Sequence, residues 1–265
     1  MLAAQRKRMI LTLLEQQQHL RVSEIAALLG ISEVTARKDL RELEAEGLLR
    51  RVHGGAVTPG YAALEPSLAD KASQNLEEKR QIAQCAARLV QDGQVVALNA
   101  GTTTLEVARR LAARSNLTVV TNAVNIGAEL AGRPGIRLIL TGGIVRERSF
   151  AMVGPLAEQT LRELRTDLAI IGINGIDPHY GLTTPDVVEA ATNRALIQSA
   201  RQVVVVADHS KFGQVSLSRI CPMDQVDVVI TDSATPARYR EALEQQGIRV
   251  ILADQPEARS QPNES

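Results

Sequence analysis

A chain of 265 residues with 45% hydrophobic content can bury a sizeable core, as one large domain or as a small one beside a medium one. Lys plus Arg and Asp plus Glu both total 30, so no overall basic charge advertises nucleic acid, and a DNA-binding face must come from a local pattern. Aromatic residues make up only 2%, which excludes the stacking platforms that grip single strands and leaves duplex recognition open. Cys85 and Cys221 stand in no Cys-x-x-Cys or Cys/His spacing, which argues against a disulfide framework and a structural zinc. No apolar run approaches the roughly 18 residues of a bilayer span, and no signal-peptide core follows Met1. The expectation is a cytoplasmic protein with no membrane partner.

Residues 6–17 carry Met9, Ile10, Leu13 and Leu14 at helical spacing, and residues 22–29 follow as a second helix with Ser23 as N-cap. Gly30-Ile31-Ser32 is then a tight turn, in which glycine permits a positive φ and Ser32 caps a third helix that runs through Glu46 and stops at Gly47. This is helix-turn-helix syntax. On the third helix Ala36, Leu40 and Leu43 share one face, while Val34, Arg37, Lys38 and Arg41 cluster opposite. A recognition helix lies in the major groove with its N-terminal residues towards base edges. The DNA-facing set is therefore Ser32, Val34, Thr35, Arg37, Lys38 and Arg41, with Val34, Thr35 and Lys38 near bases and Arg37 and Arg41 near phosphates. After Gly47, the run Leu48-Leu-Arg-Arg-Val-His-Gly-Gly-Ala56 reads as a β-hairpin wing that offers Arg50, Arg51 and His53 to the backbone or minor groove. The competing reading is three small amphipathic helices with solvated charges.

A specific string decides between them. Ser32-Glu-Val-Thr-Ala-Arg-Lys-Asp-Leu-Arg-Glu-Leu-Glu-Ala-Glu-Gly-Leu-Leu-Arg-Arg-Val-His-Gly-Gly-Ala56 resembles the recognition helix and wing of the DeoR family of bacterial repressors. The family usually has Ile or Val where this chain has Ala36, a smaller core residue that leaves the cationic side unchanged.

The pattern changes near residue 58, where Pro59, Gly60 and Pro66 interrupt any apolar repeat. This gives a DNA-binding domain over 1–57, a linker over 58–75, an α/β domain over 76–253 and a polar tail over 254–265. A helix opens the large domain, with Ile82, Ala83, Ala86, Leu89 and Val90 at helical spacing before Asp92-Gly93. Short β-branched runs then recur: Val95-Val-Ala-Leu98, Leu117-Thr-Val-Val-Thr121, Ile136-Arg-Leu-Ile-Leu140, Leu168-Ala-Ile-Ile171, Val203-Val-Val-Val-Ala207, Val226-Asp-Val-Val-Ile-Thr231 and Ile248-Arg-Val-Ile-Leu252. Near-continuous apolar strands separated by helices imply an α/β fold with a mostly parallel sheet covered on both faces.

Ligands of such sheets bind beyond the carboxyl ends of the strands. Asn99-Ala-Gly-Thr-Thr-Thr-Leu105 leads into a helix there, and its glycine, hydroxyls and helix N-terminus suit a phosphate. Thr121-Asn122, Thr141-Gly-Gly143, Gly172-Ile-Asn-Gly-Ile-Asp177 and Asp208-His-Ser-Lys-Phe-Gly213 occupy later strand ends. The candidate effector residues are Asn99, Gly101, Thr102, Thr103, Thr104, Asn122, Gly142, Gly143, Asn174, Asp208 and Lys211, with Lys211 as countercharge to a phosphate. An ordinary threonine N-cap and a solvated surface lysine are the plain alternatives.

These strings are also similar to the sensor half of the DeoR family, whose fold resembles ribose-5-phosphate isomerase and the CoA-transferase group. The resemblance spans about residues 3 to 253. It implies a repressor of a sugar or amino-sugar catabolic operon that binds operator DNA and leaves it when a phosphorylated sugar is bound, with activation as the alternative. It implies no cofactor, and the sensor domains are expected to form a homo-oligomer, dimer or tetramer, on repeated or palindromic half-sites. The family's phosphate loop is commonly Asp-Ser-Gly-Thr-Thr-Thr where this chain has Asn99-Ala100-Gly101, and many members have a lysine at Asn193. A branch resembling the amino-sugar (N-acetylgalactosamine) catabolism repressor instead carries Asn-Arg there and shares a linker like Leu64-Glu-Pro-Ser-Leu-Ala-Asp-Lys71. That branch points to an amino-sugar or tagatose-type phosphate. A sugar-phosphate isomerase is the enzymatic rival, with Asp177 and Asp208 as available carboxylates, but Asn99 and Asn174 offer amides where a base is needed, so no catalytic residue is assigned. The third reading is a helix-turn-helix that docks a protein, in which case removing the charges of Arg37 and Lys38 leaves function untouched.

Overall fold

The apolar spacing of the first fifty residues becomes three helices packed on a small sheet. They are α1 (Ala3–Gln17), α2 (Val22–Leu29) and α3 (Glu33–Ala45), with strands β1 (His19–Arg21), β2 (Arg50–Val52) and β3 (Gly55–Val57). Ile10, Leu14, Leu20, Ile25, Ala36, Leu40 and Leu43 form one buried cluster, so each helix spends its apolar stripe on the same core. Gly30 adopts a φ of +62°, the left-handed turn expected between α2 and α3. The sheet is antiparallel in the order β1-β3-β2, so the wing has a third strand beyond the expected hairpin. β1 runs straight into α2 at Val22, which places Ser23 inside the first helical turn rather than at its cap.

This computed structural model describes residues 3–17, 19–52, 55–57 and 66–254. It divides into two units, Met1–Glu65 and Pro66–Ser265. The division corrects the expected linker of 58–75 at its far end. Residues 68–72 form helix α4 (Leu68–Ala72), whose cap Ser67 exchanges hydrogen bonds with Asp70, and the Leu68 N–H donates to the Arg148 carbonyl at 3.0 Å. The bond to Arg148 ties this segment to the larger unit. Residues 58–65 and the tail from 255 lie outside the described residues.

In the larger unit the elements after α4 run α5 (Leu76–Arg88), β4 (Val95–Leu98), α6 (Thr102–Leu111), β5 (Leu117–Thr121), α7 (Val124–Leu130) and β6 (Ile136–Leu140). Next come β7 (Ile144–Val145), β8 (Met152–Val153), α8 (Pro155–Arg162), β9 (Thr166–Gly172), β10 (Gly175–Asp177), β11 (Gly181–Thr184) and α9 (Val187–Gln198). The chain closes with β12 (Ala200–Val206), β13 (Ser218–Cys221), β14 (Val228–Thr231), α10 (Ala237–Gln245) and β15 (Arg249–Leu252). Seven strands form a parallel sheet in the order β15-β14-β12-β9-β4-β5-β6. All seven correspond to the apolar runs of the sequence. Their side chains alternate between two cores: Val96, Leu98, Val119 and Ile170 pack with α5 and α6 on one face, while Ala97, Val120, Ala169 and Ile171 pack with α9 and α10 on the other. Burial on both faces is why these strands read as continuous apolar runs.

A second, antiparallel sheet, β10-β11-β13, covers part of the second face through Ile176, Leu182 and Ile220. The sequence places 172–177 in a loop at a strand end, whereas β9 extends to Gly172 and β10 starts at Gly175, which leaves only Ile173 and Asn174 between them. Among the described residues, no helix is long and apolar enough to cross a membrane.

Cys221 is buried in that second core, and burial, with Asp224 nearby, pushes its thiol up to about 12. Thiolate is the reactive species. Native protein at pH 8 is therefore expected to react with a thiol reagent at Cys221 only as fast as it unfolds; labelling within seconds in the absence of denaturant contradicts this burial.

Candidate DNA-binding face and effector site

On α3 the carboxylates and cations are sorted by face. Asp39 is 2% exposed and is gripped by Arg6 of α1 through two bonds, at 2.8 and 3.0 Å. Lys7 bridges Glu42 and Glu46 at 3.0 and 2.9 Å. These pairs fasten Asp39, Glu42 and the C-cap Glu46 to α1. The opposite side carries Val34, 74% exposed, with the exposed cations Arg37, Lys38 and Arg41. Ser32 is the N-cap, accepting the Thr35 N–H at 3.2 Å, and its hydroxyl lies 2.9 Å from the Thr35 hydroxyl. Arg37 pairs with Glu33 at 2.9 Å, and the Arg51 guanidinium lies 3.7 Å from Glu44, whose carboxylate also accepts the Arg51 N–H at 2.9 Å.

Exposed pairs of this kind stabilise by about 0–1 kcal/mol, so Arg37 and Arg51 can exchange carboxylates for phosphates at small cost. Lys38 has no partner among the described residues, and the guanidinium of Arg41 donates to the Arg37 carbonyl at 3.3 Å. Arg50 lies in β2, paired with Val57 of β3. His53, expected in the wing, lies outside the described residues.

The larger unit turns its chemistry to the carboxyl edge of the sheet. From β4 the chain moves outward through β5 and β6, then returns to the other side of β4 with β9. The switch point lies between β4 and β9, where open α/β sheets bind ligands. Asn99 spans it. Its amide donates to the Gly172 carbonyl and its oxygen accepts the Gly172 N–H, both at 2.8 Å, while Nδ2 also approaches Asn193 Oδ1 at 3.4 Å. Asn99 is 1% exposed, so the structure places it as a clip that extends the β4–β9 pairing by one residue.

Thr104 is likewise committed, donating to the carbonyls of Asn99 and Gly101 at 2.8 and 3.1 Å. These two bonds shape the loop and leave its remaining donors unspent. Gly101 is the N-cap of α6 and makes no side-chain cap. The N–H groups of Thr102, Thr103 and Thr104 and the hydroxyls of Thr102 and Thr103 have no partner among the described residues. A helix N-terminus with free N–H groups is an anion cradle.

Beside it, Asn122 at the end of β5 donates to the Met152 carbonyl at 3.2 Å, while its buried Oδ1 has no partner among the described residues. Asn125, in the first turn of α7, has both amide atoms buried and without a hydrogen-bond partner among the described residues. Buried polar atoms are nearly always satisfied, so these amides call for a polar partner. Asn125 escaped the sequence reading, although Thr121-Asn-Ala-Val-Asn125 repeats an amide just past a strand end.

Gly142 and Gly143 follow β6 with φ of +71° and +117°. A Cβ on Gly143 meets the Val153 carbonyl oxygen at 2.7 Å. Gly143→Ala is accordingly expected to cost about 1–3 kcal/mol of stability, read as a lower denaturant midpoint; an unchanged midpoint contradicts this close approach.

Asp208 and Lys211 follow β12, next to β9. Asp208 Oδ1 accepts from Asn75 Nδ2 at 2.8 Å, from the Ser210 N–H at 3.0 Å and from the Ser210 hydroxyl at 2.5 Å. Its Oδ2 has no hydrogen-bond partner among the described residues. Burial pushes the Asp208 carboxyl up, but the Ser210 hydroxyl, the Lys211 charge and the Asn75 amide outweigh it and hold the group below its usual range. Burial lowers Lys211, against the pull of Asp208, and Lys71 lowers it further. Lys79, 3% exposed, is lowered mainly by burial as well, and its ammonium donates to the carbonyls of Lys71 and Gln74. Asn75 and Lys79 were not among the sequence candidates.

Asn174, by contrast, holds β11, accepting from the Thr184 hydroxyl at 3.1 Å. A partly buried cluster of Arg146, Ser149, Glu189 and Asp186 fastens the loop between β7 and β8 to the start of α9. The candidate loops thus follow five adjacent strands, β12-β9-β4-β5-β6. At about 4.8 Å per strand, the α6 cradle stands in the middle, with Lys211 on one flank and Gly142–Gly143 on the other.

Comparison with known proteins matches both units. A family model described as the DeoR C terminal sensor domain fits residues 74–233, and one described as the DeoR-like helix-turn-helix domain fits residues 6–60. The chain is 40% identical to the HTH-type transcriptional regulator GlpR of Haloferax volcanii, over 95% of this chain and 98% of that protein. It is 37% identical to a putative aga operon transcriptional repressor of Escherichia coli O157:H7, over 94% and 93% of the two chains. With the glycerol-3-phosphate regulon repressor of Escherichia coli K12 it shares 35%, over 94% and 98%. Among solved structures, ribose 5-phosphate isomerase A from Methanocaldococcus jannaschii overlaps 52% of this chain and 55% of its own, at 21% identity and a TM-score of 0.40. With both halves matched and relatives aligned over nearly their whole length, this chain belongs to the DeoR family of DNA-binding transcription regulators.

Proposed function

We propose that this regulator represses a sugar or amino-sugar catabolic operon and leaves its operator when a phosphorylated sugar occupies the carboxyl edge of the sheet. The carrying observation is the concentration of unspent polar groups there: the N–H groups and hydroxyls at the start of α6, the orphaned amides of Asn122 and Asn125, and the Lys211 ammonium beside Asp208. In this reading the α6 cradle takes the phosphate, Lys211 adds countercharge, and Asp208 Oδ2 accepts a sugar hydroxyl. Asn99 and Thr104 shape the loop, and Asn174 braces its neighbour.

The DNA contacts fall to Val34, Thr35 and Lys38 at base edges, and to Ser32, Arg37, Arg41, Arg50, Arg51 and His53 along the backbone. Copies of the chain pair through their sensor units, so that two recognition helices meet half-sites one helical turn apart, about 34–36 Å. Relatives named for the aga operon and for the glycerol-3-phosphate regulon direct the ligand panel to amino-sugar and tagatose-type phosphates and to glycerol 3-phosphate. A gel-shift titration on the promoter beside its own gene tests the whole reading. A retarded band that disappears with one phosphorylated sugar supports it, and a band indifferent to every compound overturns the induction half.

A further inference from the structure

Asn75 sits at the N-cap of α5, where an asparagine side chain ordinarily accepts an N–H of the helix it begins. It makes no such bond, and its backbone is left-handed, with a φ of +49°. Its amide instead reaches Asp208, 133 residues away in the chain, at 2.8 Å. A local cap of typically about 1 kcal/mol has been given up for a long-range one.

The same short segment is held at two further places. Lys79 donates to the carbonyls of Lys71 and Gln74, closing the turn between α4 and α5, and the Leu68 N–H bonds to the Arg148 carbonyl. Residues 67–79 thus form a strap over the larger unit, and they are the first described residues after the 58–65 connection to the DNA-binding unit.

We propose that residues 67–79 read the occupancy of the effector site, with Asn75 as the positioning residue that ties the strap to Asp208. This rests on the assignment of Lys211 and Asp208 to that site. In the free protein Asp208 balances Lys211 and faces Lys79 and Asn75. An anion seated on Lys211 takes up that lysine's charge, and the Asp208 carboxylate then leans on the donors it keeps, the Asn75 amide and Ser210. Occupancy therefore tightens the strap, and any difference in effector affinity between DNA-bound and released forms has a physical route through it.

The test is amide hydrogen exchange on the full chain, with and without saturating inorganic phosphate. Phosphate is expected to slow exchange at the 208–213 loop and, several-fold, at 67–79. Asn75→Gly keeps the left-handed backbone available and removes only the amide; it should keep the protection of the loop and lose that of the strap. Asn75→Asp, which sets a carboxylate against Asp208, should speed exchange of 67–79 even without phosphate. Protection of the loop with an unchanged strap in the parent chain, or equal strap protection in Asn75→Gly, overturns the inference and leaves the effector site standing. If phosphate protects neither the loop nor the α6 start, the site assignment falls and the strap falls with it.

Discussion

Lys211→Ala is expected to weaken binding of the effector by roughly 30-fold or more while operator affinity in its absence stays within about twofold. Removing one partner of a desolvated charge pair costs about 2–5 kcal/mol, and every 1.4 kcal/mol is about tenfold in affinity. Lys211 fits that case because burial lowers its proton affinity and its ammonium has no hydrogen-bond partner among the described residues, only the charge of Asp208. An anion is the group that compensates such a site. A pH signature follows from the same shift. With its folded value below that of an ordinary lysine, Lys211 begins to lose its charge earlier as pH rises, and effector affinity should fall with it. Bound anion favours the ammonium, so binding in that range takes up a proton. Calorimetry in buffers of different ionisation heat reads both effects. Wild-type affinity in Lys211→Ala places the anion elsewhere, with the α6 cradle alone as its seat.

Lys38→Ala should lower the preference for operator over random duplex by roughly 5- to 150-fold, the about 1–3 kcal/mol that a good base contact contributes. Lys38 stands on the exposed face of α3 without a carboxylate partner among the described residues, so it meets DNA with no bond to give up, whereas Arg37 and Arg51 must first leave Glu33 and Glu44. The controls separate base from backbone. A phosphate contact weakens operator and random duplex alike and reduces the salt slope by about 1. Fluorescence anisotropy over a salt series distinguishes the outcomes, and an unchanged specificity ratio with a shallower slope moves Lys38 to the backbone. If neither Lys38→Ala nor Arg37→Ala alters DNA binding, the cationic side of α3 is not the recognition face.

The parallel sheet was legible because burial on both faces writes itself into the chain as runs such as Val203-Val-Val-Val206, and the helix-turn-helix because its core positions repeat at 3.6 residues. Short elements that lie outside the apolar runs were not. β7, β8, β10 and α4 are too short to show a period, and β1 pairs with β3 across more than thirty residues of sequence.

The rim loops were found because ligands of α/β sheets gather at strand ends, but the duty of each side chain depends on partners far along the chain. Asn99 looks like a ligand contact in its loop, and only the bond to Gly172, 73 residues on, shows it to be a clip. Lys79 sits in Glu77-Glu-Lys-Arg80, which reads as a solvated helix face, yet its ammonium is buried against the carbonyls of Lys71 and Gln74. Asn75 falls inside the expected linker of 58–75 for the same reason: nothing local to it announces Asp208.

Control of the grip of α3 on DNA by a phosphorylated sugar at the carboxyl edge of the sheet can be measured directly. The direct measurement is anisotropy of a labelled operator bound to the full chain, titrated with the inducing sugar phosphate and, in parallel, with the same sugar lacking its phosphate. Release by the phosphorylated compound alone is expected, with the midpoint displaced by about 30-fold or more in Lys211→Ala. Equal release by both compounds, or a midpoint that Lys211→Ala leaves in place, contradicts it.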